Sequence, residues 1–286
     1  MAGSEKNTKS EIVKGGSYRG AGGFLKIQDI NKPLHPDSLL PPDRLDLCGK
    51  ILIIGGSSAG FAGVSYTYGK TLELGAAEVK VLLPKCLEKM LPKNPDFIFS
   101  GDAKSLGFTK AIYGDLKELA TWADGILLIG DFGKNSETQQ TFAHFLGNLK
   151  DFHADKKPIL VTRDAISLLN DHLPLENPHL KMLITFNQLQ HLFKSVLYPK
   201  LINFSTPLPQ VAEALHKFTL TYECGLATFT HDNHIATQDG KVIVTNLATT
   251  KYNPLTLWAG EAATRTLLLS LWSPNPKITG LAGGIL

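Results

Sequence analysis

Four short stretches of this chain hold residues that could do chemistry. In "GGSSAGFAGV", Gly55, Gly56, Ser57, Ser58, Gly60 and Gly63 follow the apolar run "KILII". Backbone amides with little side-chain cover at the start of a helix, beside two hydroxyls, form a natural anion site. The same glycines would also let a helix pack closely on a sheet, and their spacing is neither that of a Walker A loop nor GxGxxG, so both readings stand. "LLIGDFGKNSET" repeats the arrangement, with Asp131 between Gly130 and Gly133 and a helix cap at Asn135 or Ser136. Asp131 could bind a ribose hydroxyl or a metal-bound water, or it could close a turn. "ILVTRDAISLL" sets Thr162, Arg163 and Asp164 at a strand end, where Asp164 could steer a substrate or nucleotide or cap the next helix. "LWAGEAATRT" puts Gly260 and Glu261 early in a last helix. An acid there is stabilised by the helix dipole, and it could serve as a general base beside an anion held by the same helix end.

Other chemistries find little support. His231 and His234 in "THDNH" stand three apart on a strand and turn rather than on a helix face, which disfavours zinc. Cys48, Cys86 and Cys224 are far apart, odd in number and without CxxC spacing, so neither a disulfide framework nor a metal site is expected. No Cys/His constellation can be read from the sequence.

The elements that must position these residues follow an alternating pattern. "KILIIGG", "AEVKVLLP", "DGILLIGD", "KPILVTRD", "LKMLITF" and "KLINFS" are continuously apolar, as strands buried on both faces of a parallel sheet are. Between them "FAGVSYTYGKTLELG", "SETQQTFAHFLGNLKDF", "NQLQHLFKSVL" and "PLPQVAEALHKFTLTYE" carry apolar residues at three- and four-residue spacing. The chain therefore reads as α/β, a three-layer αβα sandwich. "LATFTHD" and "HIATQDGKVIVTN", with an Asp239-Gly240 turn, add antiparallel strands at one edge. A last helix, "PLTLWAGEAATRTLLLSLW", leads into a Pro-broken tail, "SPNPKITGLAGGIL". Residues 1–44 read as a Gly- and Pro-rich arm and 45–286 as one packed domain.

With 29 basic and 26 acidic residues, a net charge of +3, the chain announces no nucleic-acid or membrane surface. Its polar amino terminus lacks a signal-peptide core, and no run reaches the ~20 apolar residues of a membrane span, so a cytoplasmic protein with small-molecule partners is expected. The Gly-rich arm and proline lead-in are elements that could reach across to another copy in a homo-oligomer.

From Leu45 to Trp272, in collinear order, the chain resembles the ribokinase-like (carbohydrate-kinase-like) domain of ADP/ATP-dependent NAD(P)H-hydrate dehydratases. "GKILIIGGSSAGFAGVSYTYGKTLELGAAEVKVLLP" is similar to the family's first strand, glycine loop and helix. "ADGILLIGDFGKNSET" resembles its "GPGLG" segment, "KPILVTRDAISLL" its "DADAL", and "KMLITFNQLQHL" its "LTPHpGE". "ATFTHDNHIATQDGKVIVTN" sits where the family carries "LKG", and "WAGEAATRTLLLSLW" where it carries "GTGD".

The resemblance implies a ribokinase-like fold, ADP or ATP as cosubstrate, magnesium as a companion of the nucleotide, and hydrated NADH or NADPH as the substrate. It assigns Gly55, Gly56, Ser57, Gly60, Gly130, Asp131, Asp164, Asn187 and Gly260 to the nucleotide and substrate site, and Glu261 to the catalytic base. The chain departs from the pattern at several points. Trp258 and Ala259 replace the Gly-Thr of "GTGD", Asp131 and Phe132 replace the Pro-Gly of "GPGLG", Thr162 replaces the first Asp of "DADAL", and His231 replaces the Lys of "LKG". Thr185 and Asn187 are the polar remnants of "TPHpGE". Three readings follow: a dehydratase working through Glu261, a non-catalytic relative that binds nucleotide or serves a structural role, and a small-molecule kinase for a sugar or alcohol on the same fold.

Overall fold

The computed structural model describes residues 23–34, 36–230, 232–247, 260–273 and 277–286. The apolar runs form strands β1 (Leu25–Gln28), β2 (Lys50–Gly55), β3 (Glu78–Pro84), β4 (Phe97–Ser100), β5 (Gly125–Gly130), β6 (Ile159–Thr162), β7 (Leu180–Thr185), β8 (Gly225–Thr230), β9 (Asn233–Gln238) and β10 (Lys241–Asn246). They build one sheet in the order β1-β10-β9-β8-β7-β6-β5-β2-β3-β4. All pairs are parallel except those of β9, which runs against β8 and β10 and so makes the antiparallel part near one edge. Asp239 (φ 50°) and Gly240 (φ 69°) join β9 to β10, the two positive φ angles that a tight hairpin of matching twist requires.

The helices among the described residues are α1 (Ala62–Glu73), α2 (Tyr113–Trp122), α3 (Ser136–Gly147), α4 (Asp164–Leu169), α5 (Phe186–Ser195), α6 (Leu208–Thr221), α7 (Glu261–Trp272) and α8 (Ile278–Gly283). Their ends are set by local chemistry. Asn135 Oδ1 accepts from the amides of Glu137 (2.9 Å) and Thr138 (3.4 Å) to start α3, and Thr185 with Gln188 forms a reciprocal capping box at α5. Helices α2 to α6 bury their apolar faces on one side of the sheet, around Phe142, Phe145, Leu189 and Phe218. On the other side lie α1, α7 and α8, around Val64, Ala263, Leu268 and Leu281. The strands between are apolar throughout because both of their faces are covered, and β5 is buried at every residue. None of these helices is long and apolar enough to cross a membrane.

Several elements differ from the sequence reading. The packed sheet starts before Leu45: β1, from the expected arm, lies parallel to β10, with Leu25 in the core and the Gln28 amide donating to Thr245 Oγ1 (3.2 Å) and Ala282 O (3.3 Å). "KLINFS" is no strand. Both edges of β7 are already taken by β6 and β8, and Asn203 folds the segment into a turn by accepting from Ser205 N (3.0 Å) and Ser205 Oγ (2.7 Å). Strand β4 and helix α2 have no counterpart in that reading. The Pro-broken tail folds back as α8, buried at every residue against α7, with Gly280 leaving room for Ser270 Oγ.

Candidate functional site

The chain passes outward from β2 to β3 and β4 on one side, and returns to β5 and onward on the other, so the crevice between β2 and β5 is where the strand order reverses. Ligands of open α/β sheets gather at the carboxyl ends of the strands at such a point. Gly55 and Gly130 face each other there, and the amide of Gly56 donates to Gly130 O at 2.9 Å. A Cβ on Gly55 would lie 2.5 Å from Gly130 O and 2.7 Å from Val64 Cγ2, so this glycine is required by the close approach of α1 and β5. The rest of the loop closes on itself. Ser57 and Gly60 exchange both backbone hydrogen bonds at 3.0 Å, Ser58 N donates to Leu106 O (2.9 Å), and Ala59 N donates to Ser57 Oγ (3.3 Å). The amides from Gly56 to Gly60 therefore all have acceptors inside the protein.

Asp131 and Asp164 sit beside this loop with their carboxylates engaged. Asp164, the first residue of α4, accepts from the amides of Asp131 (2.7 Å) and Phe132 (2.9 Å), which holds the "GDFG" turn against the end of β6. Gly130 (φ 99°) has no side chain because a Cβ would overlap that carboxylate. Asp131 in turn accepts from Gly63 N in the first turn of α1 (2.7 Å) and from Arg163 Nη2 (2.7 Å). The pair is largely buried, with 16% of the Arg163 and 13% of the Asp131 side chain exposed. Both residues hold positive φ, 58° at Asp131 and 55° at Arg163, a conformation that costs about 1–3 kcal/mol for a side-chain-bearing residue. Gln188 supports Arg163 from the first turn of α5 by donating to its carbonyl at 2.7 Å. The sequence reading gave no role to Arg163 or Gln188 and took Gly63 as an anion-loop or packing glycine; the T-x-x-Q spacing of Thr185 and Gln188 is the signal that could have found Gln188.

The amino end of α7 completes this edge. Gly260 precedes it at φ 98°, packed so closely on α1 that a Cβ would overlap Thr67 Oγ1 and lie 3.0 Å from Ile129 Cδ1. Glu261 follows, its side chain 25% exposed, with the Tyr66 hydroxyl donating to Oε2 at 3.4 Å and Arg265 Nη2 3.5 Å from Oε1. Tyr66 is held above its ordinary range by burial and by the Glu261 carboxylate. Asn187 is exposed in the first turn of α5 at the end of β7. The predicted residues thus share one edge, with Asn187 farthest along it. Trp258, Ala259 and His231 lie outside the described residues. Nucleophilic thiol chemistry is unsupported at Cys224, whose pKa burial pushes up to about 12. Among the described residues no three His, Cys, Asp or Glu side chains gather as a metal site.

No protein-family model and no curated protein matches the chain. Solved structures do. A ribokinase-like superfamily protein from Enterococcus faecalis is 15% identical over 91% of this chain and 84% of its own, with a TM-score of 0.64. A hypothetical protein from Streptococcus mutans is 16% identical over 87% and 84%, with a TM-score of 0.63. The ADP/ATP-dependent NAD(P)H-hydrate dehydratase from Bacillus subtilis, crystallised with ATP and Mg2+, is 11% identical over 87% and 83%, with a TM-score of 0.54. At these identities the likeness establishes the fold, which is ribokinase-like.

Proposed function

We propose that this protein is a nucleotide-dependent dehydratase of hydrated NADH or NADPH, with Glu261 as its base. One contrast carries the reading: of the three acids predicted for the site, Asp131 and Asp164 are committed to partners at 2.7–2.9 Å, while among the described residues Glu261 has contacts at 3.4 and 3.5 Å. A carboxylate with loose partners, partly exposed and at a helix amino end, keeps oxygen lone pairs for a substrate proton. The nucleotide would supply the phosphoryl group that turns the hydrate's hydroxyl into a leaving group. Gly260 and the first turn of α7 are the elements suited to hold its phosphates, and magnesium would travel with those phosphates. Incubation with hydrated NADH and ADP or ATP, followed by the absorbance of restored NADH, tests this. Glu261→Ala should lower the rate at least ~100-fold, the usual contribution of a general base. Wild-type turnover no higher than that of the variant would overturn the catalytic reading.

A second reading rests on a separate observation. The Asp131 carboxylate and Arg163 occupy the amino end of α1, which suits a relative that keeps the scaffold for nucleotide sensing or for structure. Calorimetric titration with ADP, ATP and NADH separates the cases. Binding without turnover supports sensing, and absence of binding supports a structural role.

A further inference from the structure

The amino end of α1 stands at the crevice between β2 and β5, the position where a ligand phosphate would meet free amides and the helix dipole. In this chain a carboxylate is already there. Asp131 Oδ2 takes the Gly63 amide at 2.7 Å, and Oδ1 takes Arg163 Nη2 at the same distance. The guanidinium lies where a Gly63 side chain would be, since a Cβ on that residue would overlap Nη1 and lie 3.1 Å from Asp131 Oδ2. Arg163 Nε and Nη1 are buried with no acceptor. A buried guanidinium that satisfies so few of its own donors is explained by the charge it balances.

We propose that Asp131 is a self-supplied anion: it fills the α1 cradle with Arg163 as counter-ion, and so confines the anionic group of any ligand at this edge to the α7 end, beside Gly260 and Glu261. This makes Asp131 and Arg163 specificity-determining residues, whatever reaction the edge supports. It also accounts for side-chain-bearing residues holding positive φ at both positions, where a glycine would be unstrained.

The test uses inorganic phosphate as the probe, with chloride at matched ionic strength as control. The amide resonance of Gly63 in the wild type should not respond to phosphate, and any response of the wild type should fall on the amides of the first turn of α7. Asp131→Ala should melt several degrees lower and recover in a saturable way with phosphate, binding it at least ~10-fold tighter than the wild type, as expected for a freed charge-assisted contact. Asp131→Ala/Arg163→Ala should not recover. If Asp131→Ala does not fold, Asp131→Gly, which also empties the cradle and suits the positive φ at this position, should show the same gain in phosphate affinity. A wild-type Gly63 amide that shifts with phosphate, or folded Asp131 variants that gain no affinity, would overturn the proposal. Neither outcome depends on turnover of hydrated NADH, so failure here is distinguishable from failure of the dehydratase reading.

Discussion

At Gly63 the missing side chain is replaced by another residue's guanidinium, so the smallest substitution there acts on a buried ion pair rather than on the helix. Gly63→Ala would force Arg163 away from Asp131 and leave a largely buried carboxylate with one partner instead of two. We expect a loss of about 2–4 kcal/mol, combining local overpacking with a broken buried pair, read as a lower urea midpoint with unchanged slope. Gly69→Ala is the contrasting control: it sits mid-helix in the same α1, a Cβ there meets nothing within 4 Å, and it should be neutral or stabilising by up to ~1 kcal/mol. The close approach at Gly55 matches one of the two readings that the sequence left open for that loop, tight packing of helix on sheet. The role of Arg163 was not legible there, because it depends on a positive φ at a residue that rarely adopts one and on a partner 32 positions away.

Helices and strands differ in how far their own residues determine them. The β2, β3, β5, β6 and β7 strands are legible as apolar runs, and α1, α3, α5 and α6 as apolar periodicity, because both signals report burial directly. Helix α2 was missed although it is as regular as the others, and part of what holds it lies elsewhere in the chain. Lys157 Nζ donates to Ala120 O (2.7 Å), Thr121 O (2.8 Å) and Ala123 O (2.6 Å), closing the carboxyl end of α2 from the loop before β6. Desolvation lowers the Lys157 pKa, and the nearby Asp124 opposes that shift. Three charge-assisted bonds to the negative end of a helix outweigh that penalty. Lys157→Met keeps the aliphatic stem and removes the cap, so it should cost about 1–3 kcal/mol and speed amide exchange in the last turn of α2. Equal exchange in both proteins would mean that water caps the helix as well as the lysine does.

Across the molecule, β1 and α8 are placed by the edge and the face that the other elements leave uncovered rather than by their own sequence patterns. β1 extends the open edge of β10, and α8 covers β8, β9 and β10 on the side α7 leaves bare. His234 in β9 is fully buried, with both ring nitrogens lacking a hydrogen-bond partner among the described residues and the Phe229 ring at 4.9 Å. Desolvation lowers its pKa from 6.5 to about 3. Below pH 6.5 the unfolded chain binds a proton at this histidine that the folded chain refuses until about pH 3. Stability therefore falls as pH falls through that window, by up to ~1.4 kcal/mol per pH unit from this group, and the penalty is complete below about pH 3. The carboxylates add acid sensitivity of their own, so the group is isolated by difference. His234→Leu removes the proton site and an unsatisfied polar ring together. It should be more stable than the wild type at pH 7 by about 1–2 kcal/mol, and the gap should widen as the pH is lowered from 6.5 to 4.5 in urea titrations. A gap that stays constant with pH would mean that the imidazole is protonated in the folded protein as readily as in the unfolded one, and that the interior around β9 is open to water.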